Sequence, residues 1–361
     1  MTKATSSPAT HDAPPAGEKS GVLRGAVACA ALAVALVLAC LVSVGSGQVP
    51  VPVGTVADVL LHRLTGWGEI TWDVTAEDIV VNLRLPRVLL AVIVGAGLAV
   101  AGTLVQAIAR NPLADPYLLG VSQGASVGAV AVIVLGTAGF GVTSTSMAAV
   151  LGAAASFALV AALGRAAGPD SVMRLLLAGV AVGYGLQAVV NLLLLMADSP
   201  GETSSALFWL VGSLGAAQWP MLALPAAVTL TVSGLAMAAG RHLDALLLGD
   251  ETATSLGIRP QVLRAVLATL ASIVTGALVA VSGAIGFVGL VVPHAVRLVL
   301  GAGHRRVLPA AALSGALFLV VADLLARTVL APREMPIGVV TGVVGAPVLA
   351  FLLARRRRVA G

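Results

Sequence analysis

The chain has 361 residues, 58% of them apolar and 10% charged, with a net charge of +5. Its mean hydropathy is +1.03. Soluble domains carry roughly 25% charged residues, so this composition excludes a water-soluble core and describes a polytopic membrane protein.

In chain order, residues 1–23 are mostly Ser, Thr, Pro, Ala and Gly and read as a disordered tail. Gly25 to Val44 then passes without a charge. About 20 residues at 1.5 Å each give the roughly 30 Å of a hydrocarbon core. The run is too long and starts too late for a signal-peptide core, so it is a retained span. Cys29 and Cys40 lie within it as small hydrophobes, neither a disulfide framework nor a metal site. Apolar runs follow at 88–108, 117–135, 143–164, 175–196, 207–239, 307–326 and 336–354, the 207–239 run being interrupted near Trp219 and Pro220. Ala265 to His294 is too long for one upright helix and carries Gly276, Gly283, Gly286, Gly289 and Pro293, so it reads as two short crossings about the turn SGAIG. The predicted fold class is all-α, a polytopic membrane protein of about ten transmembrane helices. Residues 24–354 form the membrane domain and 355–361 a basic tail.

Ten spans place Arg24, Arg110, Arg165, Arg174, Arg241, Arg259, Arg264, Arg297, Arg305, Arg306 and Arg355 to Arg358 on one face, with both termini. Cytoplasmic loops collect Lys and Arg, so this basic face is expected to be cytoplasmic. The opposite face holds nearly all the loop acids, among them Asp58, Asp73, Glu77, Glu202 and Glu334. Two groups break the pattern. Arg63, Arg84, Arg87, Arg327 and Arg333 stand on the acidic face, and the acids of RHLDALLLGDETATSLG, residues 241–257, stand on the basic one.

Within the spans, Ala91, Gly95 and Ala99, then Gly120, Gly124 and Gly128, recur every four residues and form small-residue seams for close helix contact. Gly179, Gly183, Gln187 and Asn191 form a stripe with two amides, which must face other helices or a wet cavity because bare amides in hydrocarbon cost several kcal/mol. Interhelical bonding and pathway lining both satisfy that demand. ARNPLADP, residues 109–116, is a stiff proline-bounded turn; with Asn111 and Leu113 at its tip it is either a structural elbow or a narrowing of a pathway. Arg327 follows Asp323 by one helical turn and can pair with it. The 241–257 island reads as helix, Gly break, helix, with acids at the start of the second helix. Its leucines facing an aqueous side call for a protein partner. The sequence holds no G-x-x-x-x-G-K-[ST] phosphate loop, no metal-ligand cluster and no Ser-His-acid elbow, so no catalytic or metal-binding residue and no bound cofactor is expected. An ion-coupled transporter would want an ionisable group near mid-membrane; Asp323 lies toward one end of its span and His294 toward the end of another.

The segment LRLPRVLLAVIVGAGLAVAGTLVQAIARNPLADPYLLGVSQGAS, residues 83–126, closely resembles the FecCD-type permease subunits of ATP-driven importers for ferric siderophores and cobalamin. ALLLGDETATSLGI, SGAIGFVGLVVPHAVRL, ADLLAR and MPIGVVTGVVGAPV continue the likeness in order, over everything after the tail. The resemblance implies a type II ABC importer permease in a bacterial cell membrane, paired with a second copy or close paralogue and surrounded by lipid. It implies two ATPase subunits holding ATP and Mg, an extracytoplasmic substrate-binding protein, and no nucleic acid. Arg84, Arg87 and Arg327 match arginines that receive acidic residues of the binding protein. The island matches the ATPase-coupling helices, with Leu243, Leu246, Leu247, Gly249, Asp250, Glu251, Ala253, Leu256 and Gly257 as the joint. A ferric siderophore is the first expected cargo, its iron carried inside the chelator; cobalamin and haem come next.

Overall fold

Helix breaks in this chain fall where Gly, Pro and polar residues interrupt the apolar runs. The computed structural model describes residues 16–47, 49–136, 142–166 and 172–359. In order these hold α1 (Ala16–Gly45), α2 (Val53–Thr65), α3 (Val74–Asp78) and a π-helical turn (Ile79–Arg84) that runs into α4 (Leu85–Ala109). A 3-10 turn (Pro116–Leu119) then precedes α5 (Val121–Val134), α6 (Val142–Ala166), α7 (Val172–Leu195) and α8 (Pro200–Val211). The rest is α9 (Trp219–Ala238), α10 (Gly240–Leu247), α11 (Asp250–Ser255), α12 (Pro260–Ser282), α13 (Val288–Leu300), α14 (His304–Thr328) and α15 (Ile337–Val359). Seven helices are long and apolar enough to cross a membrane, and three shorter apolar ones lie at Val121–Val134, Val288–Leu300 and Ile337–Leu352. Together they make the ten expected from the sequence.

Helix α1 begins at Ala16, inside the stretch read as a tail, and residues 1–15 lie outside the described ones. Helix α15 runs to Val359, through the segment read as a basic tail. The 207–239 run is interrupted where the sequence reading places the break: Gly212 takes φ 88 and turns the chain after α8, and α9 begins at Trp219.

Helix α4 is the axis of the fold, packed by α9, α12, α13 and α14. Its contacts are backbone-close. A Cβ on Gly95 would strike the Gly315 carbonyl of α14, and one on Gly102 the Gly289 carbonyl of α13. Helices α5 and α6 meet the same way, Gly124 on Gly152 and Gly128 on Ala148. Removing side-chain bulk lets dispersion act between main chains, which is the force available where lipid tails are as apolar as leucine.

Helices α5 and α13 are short because the irregular segments before them reach toward each other. The Tyr117 hydroxyl donates to the Ile285 carbonyl and accepts from the Ile285 N–H, both at 2.9 Å. Gln106 Nε2 donates to the Leu290 carbonyl at 3.0 Å. Non-helical backbone inside a membrane protein needs such partners. We predict that Gly102→Leu loses about 1–3 kcal/mol or more through overpacking, seen as a collapse of monodisperse yield and of thermal midpoint in detergent. Gly54→Ala in α2, where an added Cβ meets nothing within 4 Å, is expected to hold or gain up to about 1 kcal/mol.

Candidate coupling, pathway and docking sites

On the basic face, α10 and α11 form a helical knob turned at Gly249, whose φ of 115 suits glycine. Leu243, Leu246 and Ala253 are 0% exposed and pack into the body of the protein. Leu247, Leu248 and Leu256 are exposed at 38%, 68% and 62% and make an apolar tip, flanked by exposed Glu251 and by Gly257 at φ 79. The candidate joint residues therefore divide into anchors and tip. Leu248 is absent from the expected set; the only signal for it was a third leucine in a row.

The knob is tied to three spans. Asp250 accepts from both Arg110, the last-turn cap of α4, and Arg264 of α12. Arg110 Nε also donates to the Leu246 carbonyl at 2.8 Å. Burial first, and the charge of Arg264 second, lower the pKa of Arg110. Asp244 accepts from the His304 N–H at 2.9 Å and pairs with its Nδ1 at 2.7 Å, joining the knob to the start of α14. The sequence shows Arg110 and Arg264 only as members of the basic face, and His304, beside Arg305 and Arg306, does not stand out in it.

The elbow at 110–120 starts from that tie. Arg110 has a left-handed φ of 49. Asn111 Oδ1 accepts from the Leu113 N–H at 3.0 Å, so its amide shapes its own turn, while Leu113 is 39% exposed at the tip. Asp115 accepts from the Tyr117 N–H at 2.8 Å; burial pushes its carboxyl pKa up, against that bond. On α7, Gln187 and Asn191 are exposed and bond to each other at 3.2 Å. Gln187 joins Tyr117, Gln123, Gly183 and Tyr184 around a cavity of about 300 Å³. Gln187 of the amide stripe and Tyr117 and Leu118 at the end of the elbow thus share one cavity.

On the opposite face two of the three candidate arginines, Arg84 and Arg327, converge on the end of α1. Arg84, 8% exposed, donates to the carbonyls of Val44 at 2.9 Å, Gly45 at 3.0 Å and Val49. Arg327, 6% exposed, donates to the carbonyls of Ser43 and Ser46, both at 3.0 Å, and to the Ser43 hydroxyl at 2.7 Å. Its Nε bonds to Asp323 at 3.0 Å, the pairing expected one turn apart. Arg87 bonds to the other Asp323 oxygen at 3.0 Å and to half-exposed Glu334 at 3.0 Å. So Arg84 and Arg327 turn inward to cap α1, and Arg87 reaches the surface through Glu334.

The sequence pattern of the FecCD transport family matches residues 35–355. The chain belongs to that family. It is 43% identical over 293 residues to the hemin transport system permease protein HmuU of Yersinia pestis, covering 79% of this chain and 87% of that one. It is 40% identical over 330 residues to the Fe(3+) dicitrate transport system permease protein FecD of Escherichia coli, covering 90% and 98%. A solved inward-facing structure described as a metal-chelate type ABC transporter superposes with a TM-score of 0.80 at 30% identity, covering 91% and 98%. Relatives named for cobalamin and for molybdate import match as well. The chain is accordingly a membrane permease of the ABC importer class, and catalysis of ATP hydrolysis belongs to a separate subunit.

For this FecCD permease, Asp323→Ala is expected to cost about 3–5 kcal/mol, because buried Arg327 loses its carboxylate and Arg87 is left with Glu334 alone. Exposed Arg63→Ala should stay within about 0.5 kcal/mol. Thermal unfolding in one detergent separates the two, and increased proteolysis near residues 43–49 would locate the damage.

Proposed function

We propose that the chain imports a ferric siderophore, as one of two permeases beneath an extracytoplasmic binding protein and above two ATPase subunits. The basic face with both termini is the cytoplasmic one. The observation that carries this reading is the knob: three exposed leucines on a short helical unit held by charged bonds to α4, α12 and α14. An apolar tip outside the membrane calls for a protein groove, and ties to three spans let movement of the tip move the spans. Coupling runs from the knob through Arg110 into the elbow, and through Tyr117 to the α12–α13 break. The cavity shared by the end of the elbow and Gln187, whose amide bonds to Asn191, lines the pathway, with Asn111 and Leu113 at its inner mouth.

Docking of the binding protein centres on Arg87. A carboxylate from the partner exchanges for Glu334 there, while Arg84 and Arg327 hold the α1 end against which Arg87 is set. The ferric-chelate assignment is supported by the relative named for Fe(3+) dicitrate; cobalamin and haem, for which other relatives are named, are the next cargoes. The ion-coupled alternative loses its carboxylate, since both oxygens of Asp323 are engaged by arginines.

In cells lacking this chain, uptake of labelled ferric siderophores should return with wild type, and fail with Leu247→Asp/Leu248→Asp because the ATPase no longer co-purifies. Uptake of cobalamin alone would move the cargo, not the mechanism. Asp250→Asn should keep ATP hydrolysis yet lower uptake about tenfold or more, as bonds to charged groups contribute about 1.5–3 kcal/mol. Arg87→Glu should slow binding-protein association and remove most of its salt dependence. Uptake that survives the double leucine change would sink the coupling assignment.

A further inference from the structure

A second feature of the basic side lies away from the knob, on the outer flank of the bundle. Helices α1, α13, α14 and α15 enclose a groove of about 530 Å³ whose lining is apolar except for Ser314. Helix α1 contributes Ala28 and Leu32, and α14 contributes Ala310, Ser314 and Phe318. Each of these sets repeats every four residues, so each is one stripe along its helix. Both stripes end in an arginine one turn nearer the basic face, Arg24 on α1 and Arg306 on α14.

By helix register these two cations lie one turn beyond the apolar lining, on the side of the basic face. Arg24 is exposed, and Arg306 is half-buried because its stem lies along α1 at Gly25. Among the described residues neither has an ion-pair partner. Arg305 next door leans the other way, against Gly240 of the knob. The stripe from Ala310 to Phe318 rises about 12 Å, against the roughly 15 Å of one leaflet.

We propose that this groove is a binding site for an anionic phospholipid, with acyl chain along the α1 and α14 stripes and headgroup phosphate between Arg24 and Arg306. An apolar channel of one leaflet's depth fits a chain, and two unpaired arginines one turn beyond its lining fit a phosphate that a neutral surface would not hold. A zwitterionic lipid satisfies the channel but brings its own cation to the arginines, so selection falls on net negative charge. The site is independent of cargo identity and of binding-protein docking.

The test uses the full-length permease in nanodiscs containing equal phosphatidylglycerol and phosphatidylcholine, released into mild detergent, with retained lipids counted by native mass spectrometry. Wild type is expected to retain phosphatidylglycerol over phosphatidylcholine, the preference falling about fivefold for each arginine lost, from about 1 kcal/mol per charge. Arg24→Gln/Arg306→Gln should bring the ratio to near unity, and Arg24→Lys/Arg306→Lys should restore most of it. Ser314→Phe, which fills the channel, should lower retention of both lipids while leaving thermal stability in place. Equal retention by wild type, or a preference that survives the Gln pair, overturns the proposal. So does efficient disulfide linking of two Val348→Cys copies, because a second copy would then cover the groove.

Discussion

Hydrocarbon offers the main chain no hydrogen-bond partner, and the architecture depends on how each break in a helix is answered from within. Where α1 stops, Arg84 and Arg327 supply donors for five carbonyls between Ser43 and Val49. Where the elbow and the α12–α13 turn interrupt their helices, the Tyr117 hydroxyl answers both a carbonyl and an N–H of Ile285. Arg327 is tolerated at low exposure because Asp323 supplies a carboxylate and the Ser43 hydroxyl and two main-chain carbonyls take further donors. Among the described residues Arg84 is held by main-chain carbonyls alone, so moving either side chain opens the end of α1.

Helix contact and helix breaking are linked through glycine. Gly102 brings α4 onto α13 at Gly289, and Gly289 also leaves room for Pro116, the first residue of the 3-10 turn. One small residue therefore sets the separation of α4 and α13 and the height of the elbow. From there the path to the knob is short in covalent terms: Pro116 to Arg110 is six residues of a proline-stiffened loop, and Arg110 bonds both the Leu246 carbonyl and Asp250. A rigid loop transmits displacement better than a floppy one, which gives a physical purpose to the prolines of ARNPLADP.

The spans were legible because 1.5 Å per residue and the absence of charge are nearly sufficient to define a crossing, and the family was legible because its motifs are long and ordered. The split of 207–239 into two helices was only half legible: Trp219 and Pro220 marked the break, but nothing local announced that Gly212 would meet Gly283 and Ile337. The inward direction of Arg84 and Arg327 was hidden for a similar reason. Their partners are carbonyls of α1, about 40 and 280 residues away in sequence, and carbonyls carry no residue identity to read. In the knob, periodicity identified an amphipathic unit, yet the division into anchors and tip follows from how α10 rests on α4 and α14, which is tertiary information.

Arg87 differs from its two neighbours in a way that matters for docking. Its Nε is held by Asp323, which is 0% exposed, while its Nη1 faces Glu334 at the rim. Truncating it would leave Asp323 with Arg327 alone, still neutralised, whereas truncating Asp323 would strand buried Arg327 and leave Arg87 with Glu334. Arg87 is thus the member of the cluster whose surface bond can be exchanged without uncovering a buried charge. An incoming carboxylate that replaces Glu334 keeps the net charge of the site unchanged and works against a guanidinium already oriented by a buried partner. Orientation of that kind lowers the entropy lost on binding, which is the advantage the proposed docking at Arg87 would draw on while the pair behind it keeps α1 in place.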